Sequence, residues 1–218
     1  MFWRMPSRIW SGRTVYIIGG GPSLEGFDWE PLQKERVIGC NDAYQLGQWV
    51  DVCCFGDLVW YTDFHQEQLQ SFSGLICSFA ADPSEVDSYA KRRVRWLKRN
   101  CTPNVLETRT QRIGWYGHTG ASAINLAIQF GAKRIVLLGF DMKMKKDKGN
   151  WHTNRKNFSG MKDGQGPRPA LYKRFTKGLV LLKAHVDAFG GIEILNAGPD
   201  SALEIWPKVE LKEVLCQS

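Results

Sequence analysis

Apolar residues along this chain come in short blocks, and most blocks stop on glycine or a small polar residue. Thr14–Ile18 is β-branched and aromatic and runs into Gly19, Gly20, Gly21, Pro22, Ser23 and Leu24. Arg36–Cys40 stops on Asn41 and Asp42, residues 50–55 on Gly56 and Asp57, and residues 135–139 on Phe140 and Asp141. Residues 75–79, 104–108 and 192–195 have the same strand-like character, and Asn196 follows the last of them. Three stretches instead follow helical spacing. Residues 58–72 place Trp60, Phe64 and Leu69 inward, 121–130 carry a stripe of Ala123, Leu126, Ala127 and Phe130, and 171–189 present Leu179, Leu182 and Val186. Thr119 or Ser122 is expected to cap the middle helix and Gly131 to end it. Strand, helix and strand joined by short links predict parallel crossovers. The expected fold is α/β: one domain with a doubly wound, mostly parallel sheet whose strand ends converge on one edge.

The remaining chain adds an arm over residues 1–13 and a long basic loop over 142–169, read as a lid or acceptor loop. A chain of 218 residues is long enough for one such domain with a substantial core. No apolar run approaches the roughly 20 residues that span a bilayer, and the first residues lack the apolar centre of a secretory signal. Six cysteines occur without a CxxC pair or zinc spacing, so reduced, mostly buried thiols in a cytoplasmic protein are expected. The net charge of +7 favours an anionic partner: a nucleotide, a nucleic acid such as DNA, or an acidic glycan. The basic residues concentrate in 91–99, where Trp96 offers a ring for stacking, and in 143–156.

The chemistry collects at the predicted strand ends. Glycines there let backbone approach a ligand, and a loop of amides before a helical turn suits phosphate. An ordinary tight turn would have the same composition. The loop is not a dinucleotide fingerprint, because Leu24 stands where the last glycine belongs, and no Gly-Lys-Ser/Thr follows for a Walker A loop. A nucleotide on this edge would meet Gly19, Gly20, Gly21, Pro22, Ser23, Leu24, Asn41, Asp42, Asp57, Thr119, Gly120, Ser122, Asn196 and Ser201. His152, in a polar loop beyond a strand end, is the candidate general base, with Asp141 beside it at the reacting centre. His118 opens a helix, while His65 and His185 fall in helical stretches and read as structural. Asp57 and Asp141 would be the ligands if magnesium is used.

These motifs resemble a known superfamily. The resemblance rests on Gly-Pro-Ser-Leu at 21–24, Cys-Asn-Asp at 40–42, Thr-Gly-Ala-Ser at 119–122, Gly-Phe-Asp at 139–141 and the downstream His152. The group joins 6-hydroxymethylpterin pyrophosphokinase-like proteins, motility-associated flagellin glycosyltransferases and bacterial CMP-sialic-acid sialyltransferases, with small phage-encoded members. It implies a Rossmann-like fold with a nucleotide in the strand-end crevice. Through the sialyltransferases it implies nucleotide contacts from Gly21, Pro22, Ser23 and Asn41. Thr119, Gly120 and the 196–201 turn would complete the pocket, and a histidine would deprotonate the acceptor hydroxyl. Two features depart from the pattern: His152 lies well before residue 171, and Gly20-Gly21 stands where asparagine-glycine is common. The function expected is a nucleotide-dependent transferase, foremost a glycosyltransferase using a nucleotide-sugar donor. The alternatives are a magnesium-dependent pyrophosphokinase acting on a pterin-like alcohol and a non-enzymatic nucleotide- or nucleic-acid-binding module.

Overall fold

Successive residues of the central strands face opposite sides of one sheet, and both sides are buried. Val15, Ile17, Ile135 and Leu137 enter one apolar cluster, whereas Tyr16, Ile18, Val136 and Leu138 enter the other. Such two-sided burial is the pattern of a parallel sheet covered on both faces. The structure, a computed structural model, describes residues 4, 6, 8–80, 86, 92–101, 104–109, 111–145, 149–152 and 169–216.

The strands are β1 (Thr14–Ile18), β2 (Arg36–Cys40), β3 (Val52–Phe55), β4 (Leu75–Ser78), β5 (Val94–Trp96), β6 (Lys98–Asn100), β7 (Arg112–Gly114), β8 (Arg134–Leu138) and β9 (Glu193–Asn196). Seven of them form a sheet in the order β5-β4-β3-β2-β1-β8-β9. Every pairing in it is parallel. The register on either side of β1 sets Tyr16 opposite Val37 and Val136. β6 and β7 pair separately. Helices α1 (Thr119–Gln129) and α2 (Pro169–Phe189) cover the first face, with Leu126, Phe130, Leu179, Leu182 and Val186 buried as expected. Short 3-10 and π turns and α3 (Leu211–Leu215) cover the second face. The α/β doubly wound, Rossmann-like architecture read from the sequence is the one found. Among the described residues no helix is long and apolar enough to cross a membrane.

Several local expectations are corrected. The 58–72 stretch is not one α-helix: Trp60–His65 is a π turn and Gln68–Gln70 a 3-10 turn. The Gln66 amide therefore donates to Tyr61 O, five residues back, and Phe64 turns outward at 41% exposure. Residues 104–108 are not a strand. The Asn125 side chain occupies that segment's polar groups, accepting from Glu107 N and donating to Glu107 O. Over 94–100 the basic stretch forms β5 and β6, and Trp96 is buried at 1% exposure, so it has no face for stacking. Lys91 lies outside the described residues, as do 1–3, 5 and 7 of the arm and 146–148 and 153–168 of the basic loop. The rest of the arm is anchored, with Trp10 N donating to Phe130 O and the Trp10 ring edge-on to Phe130. The N-cap of α1 is His118, without a side-chain cap bond, because Ser122 Oγ donates to Gly114 O and Trp115 O instead. Gly131 does end α1, at φ +90°. Cys40, Cys53, Cys54 and Cys77 are buried free thiols, and Cys101 and Cys216 are exposed.

Candidate functional site

The strand order reverses between β1 and β8. The chain winds outward from β1 to β5 and then returns to β8 on the other side. A crevice opens at the carboxyl ends of two such strands. A cavity of about 660 Å3 lies there, a size typical of small-molecule sites. Its wall includes Gly19, Gly20, Gly21, Pro22, Asn41, Asp57, Thr119, Gly120, Asp141 and His152. Ser23, Leu24, Asp42, Ser122, Asn196 and Ser201 are not in the wall. Leu24 and Ser122 pack in the core, and Asn196 and Ser201 build the turn behind it. Ser201 Oγ donates to Phe140 O at 2.7 Å, which ties that turn to the end of β8.

The glycine loop is explained by close packing. An added Cβ would lie 2.7 Å from Gly139 O at Gly19, and 2.6 Å from both Gly139 O and Asp141 Cγ at Gly21. Gly19 N donates to Leu138 O, Gly21 N to Gly139 O, and Ser23 N and Oγ to the two oxygens of Asp141, each at 2.7 Å. With Leu24 N donating to Gly21 O, four of the amides expected to cradle phosphate therefore have protein acceptors, while Gly20 N has none among the described residues. The loop's carbonyls are clamped too, Trp151 Nε1 donating to Gly19 O and Trp151 N to Gly20 O. The clamp brings His152 over Gly20, with Nε2 3.7 Å from where a Gly20 Cβ would sit.

Asn41 leaves β2 at φ +53°, a left-handed conformation that asparagine tolerates. That turn sends Asp42 beneath the cavity floor, where its carboxylate is 4% exposed. A buried carboxylate needs donors. Trp60 Nε1 donates to Asp42 Oδ1 at 3.1 Å, and His65 Nε2 lies 3.0 Å from the same oxygen. His152 Nδ1 lies 2.9 Å from Oδ2, a close polar contact without the alignment of a full hydrogen bond. Burial lowers the His152 imidazole to about 4, and burial with the neighbouring His152 lowers His65 to about 4. Both rings are thus neutral at pH 7. A neutral His152 with its proton on Nδ1, facing a carboxylate, has a basic Nε2 on its other side.

The opposite wall is cationic and helical. The N-terminus of α1 faces the cavity through Thr119 and Gly120, and a helix N-terminus carries free amides and a positive potential. Arg174, from the first turns of α2, is beside it, and the partly buried His118 is pushed down to about 3 by desolvation and by Arg174. Arg99 ties three elements together, Nε donating to Phe79 O and Nη2 to Gly56 O, with the guanidinium 3.6 Å over the Trp115 ring. Tyr172 stands near Asp141, and burial with that charge raises its phenol to about 12.

As a magnesium pair, Asp57 and Asp141 fit poorly. Both Asp141 oxygens accept from Ser23 and one Asp57 oxygen accepts Val59 N. Among the described residues no group of three or more carboxylates, histidines or cysteines could hold a metal. The sequence reading missed His65, Trp60, Arg99, Tyr172 and Arg174. A five-residue step from Trp60 to His65 is the signal for the first two, since it matches a π turn. Arg174 was recognisable only as a cation near the start of a helix that follows a loop. Comparison of the chain with protein-family models and with curated proteins finds no match to either.

Proposed function

We propose that this protein is a nucleotide-dependent transferase, specifically a glycosyltransferase that moves a sugar from a nucleotide-sugar donor to an acceptor hydroxyl. The observation that carries the reading is the Asp42–His152 contact at 2.9 Å on the floor of the switch-point cavity. A neutral histidine oriented by a buried carboxylate is the arrangement of a general base. In this reading His152 Nε2 takes the acceptor hydroxyl's proton, and the acceptor oxygen bonds to the anomeric carbon. The bond from that carbon to the nucleotide's phosphate oxygen breaks. The leaving phosphate settles at the α1 N-terminus beside Arg174 rather than on the glycine loop, whose amides other than Gly20 N have protein partners. A resemblance to the superfamily of flagellin glycosyltransferases and CMP-sialic-acid sialyltransferases fits this reading. A second hollow of about 580 Å3 adjoins the cavity through Met142, Lys143 and Tyr172, and exposed Lys143, Lys173 and Lys177 rim it. That supports an anionic acceptor, DNA included.

The pyrophosphokinase reading is second, because the commitment of Asp141 to Ser23 leaves magnesium without its second carboxylate. Thermal-shift measurement with CMP, UDP, GDP, ADP and ATP, each with and without magnesium, separates the two. A nucleotide at 100 times its Kd adds about 2.7 kcal/mol. Stabilisation by CMP or UDP without metal is expected. Stabilisation by ATP with magnesium alone transfers the assignment to diphosphate transfer, and no response to any nucleotide overturns both.

A further inference from the structure

We propose that His65 and Tyr44 are positioning residues that fix the proton of His152 on Nδ1 and leave Nε2 bare toward the cavity. The direction of each hydrogen bond can be followed from the far end. Gln45 Nε2 donates to Tyr44 Oη at 3.4 Å, so the Tyr44 hydroxyl hydrogen is left to point elsewhere. Tyr44 Oη lies 2.8 Å from His65 Nδ1, which then accepts. A neutral imidazole with Nδ1 accepting carries its hydrogen on Nε2, and His65 Nε2 is the atom 3.0 Å from Asp42 Oδ1. Trp60 Nε1 gives a second hydrogen to that same oxygen. Oδ1 is thereby occupied by two donors, and Oδ2 turns to His152 Nδ1. This last contact lacks the alignment of a hydrogen bond, but a bare Nδ1 lone pair 2.9 Å from a carboxylate oxygen would be repelled, so the His152 hydrogen belongs on Nδ1.

The π turn locks this chain. It places residues five apart on one face, so the His65 ring stacks on Trp60 at 4.1 Å and 17°. An α-helical turn would instead bring residue 64 over residue 60. Tyr44 meets the His65 ring edge-on at 5.7 Å, and a ring flip would put carbons where both nitrogens stand, costing the hydroxyl bond and the Asp42 contact. Among the described residues, the titratable groups facing this unit include Tyr44 beside His65, Cys53 beside Tyr44, Asp42 between the rings, and the two imidazoles themselves. The catalytic consequence rests on the reading of His152 as the base, whereas the tautomer does not.

The test is nitrogen-15 histidine NMR on the full-length protein, which reads each ring's tautomer and titration without any substrate. At pH 7 His152 is expected as the Nδ1–H form and His65 as the Nε2–H form. His65→Leu removes one donor from Asp42 and leaves its charge less compensated, so the His152 titration is expected to rise by about one pH unit. His65→Gln, whose amide still donates to Asp42, should hold it near the wild-type value. Tyr44→Phe, which deletes only a hydroxyl, keeps the test available where His65→Leu does not fold: Asp42 still holds His65 as the Nε2–H form, but Nδ1 loses the donor that favours its bare state, so the His65 titration should rise. An Nε2–H form for His152 in the wild type overturns the proposal. So does an unchanged His152 titration in folded His65→Leu, or an unchanged His65 titration in Tyr44→Phe. Failure of the glycosyltransferase reading is told separately by the nucleotide screen, which does not depend on the tautomer.

Discussion

Three imidazoles in this molecule, the buried His65 and the partly buried His118 and His152, resist protonation, and folding stability must register it. His65 and His152 are lowered to about 4, each first by burial, and His118 to about 3. The same side chains in the unfolded chain titrate near 6.5. Between those values the unfolded state binds more protons than the native one, so stability rises with pH across that interval. It is fully present above about pH 6.5 and is lost as the pH falls toward 4. Urea denaturation at a series of pH values should show this loss, and His65→Gln should reduce the slope by about one proton relative to wild type. A flat profile between pH 6.5 and 4.5 would mean that these rings are not held neutral. The same shift bears on turnover: with His152 as the base, its acid limb belongs near pH 4 rather than near 6.5. His152 and Asp42 were both legible as polar residues beyond strand ends. Their pairing was not, because residues 42 and 152 meet only after β2 and the segment following β8 are brought to one crevice.

At the scale of elements, the loop after β1 shows why composition points to a place more securely than to a role. Its glycines were readable as a sharp turn at a strand end, and the turn is there. Their purpose differs along three consecutive positions. At Gly19 and Gly21 a Cβ would strike the backbone oxygen of Gly139, whereas at Gly20 it would face Asn150 and His152. Gly21→Ala is therefore expected to destabilise the fold by about 1–3 kcal/mol, the usual cost of overpacking a closed site. Gly20→Ala should cost less stability, since its nearest neighbour is the end of the Asn150 side chain, and should disturb the His152 ring instead. Thermal denaturation together with the His152 NMR signals separates the two, and equal losses of stability would remove the distinction. β1 and β2 were found to the residue because continuous apolar runs between turn signals admit few alternatives. The 58–72 stretch misled because its buried pair, Trp60 and His65, follows a five-residue step rather than 3.6.

Across the whole molecule the positive charge divides into two kinds of residue, which the sequence presents alike. Within 92–99, Arg93 and Arg99 are internal ties, whereas Arg92 and Lys98 are exposed. Arg93 Nη2 donates to Phe72 O and Gly74 O, Arg99 holds Phe79 and Gly56, and their neighbours form edge strands. Charge density alone could not reveal this, since the acceptors are backbone carbonyls 19 to 43 residues away in the chain. Lys143, Lys173 and Lys177 are different. They are exposed around the hollow beside the cavity, and among the described residues none has an ion-pair partner. Lys173 and Lys177 stand four residues apart on α2, about 6 Å along the helix, so both can follow one polyanion. If the acceptor is a nucleic acid, its affinity must fall with salt by roughly 0.7 in the log–log slope per phosphate neutralised on a single strand. Replacing both lysines by glutamine should then flatten that slope by about 1.4 in fluorescence anisotropy with a single-stranded oligonucleotide. The same variant should keep the nucleotide-induced thermal shift, because neither side chain lines the main cavity. An Arg99→Lys variant supplies the contrast: it keeps the charge but loses the two-carbonyl clasp, so it should lower stability while leaving the salt slope intact. An unchanged slope in the double lysine variant would take the acceptor away from this hollow. A lost thermal shift would mean instead that the two hollows are one binding site, with the lysines serving the donor's phosphates.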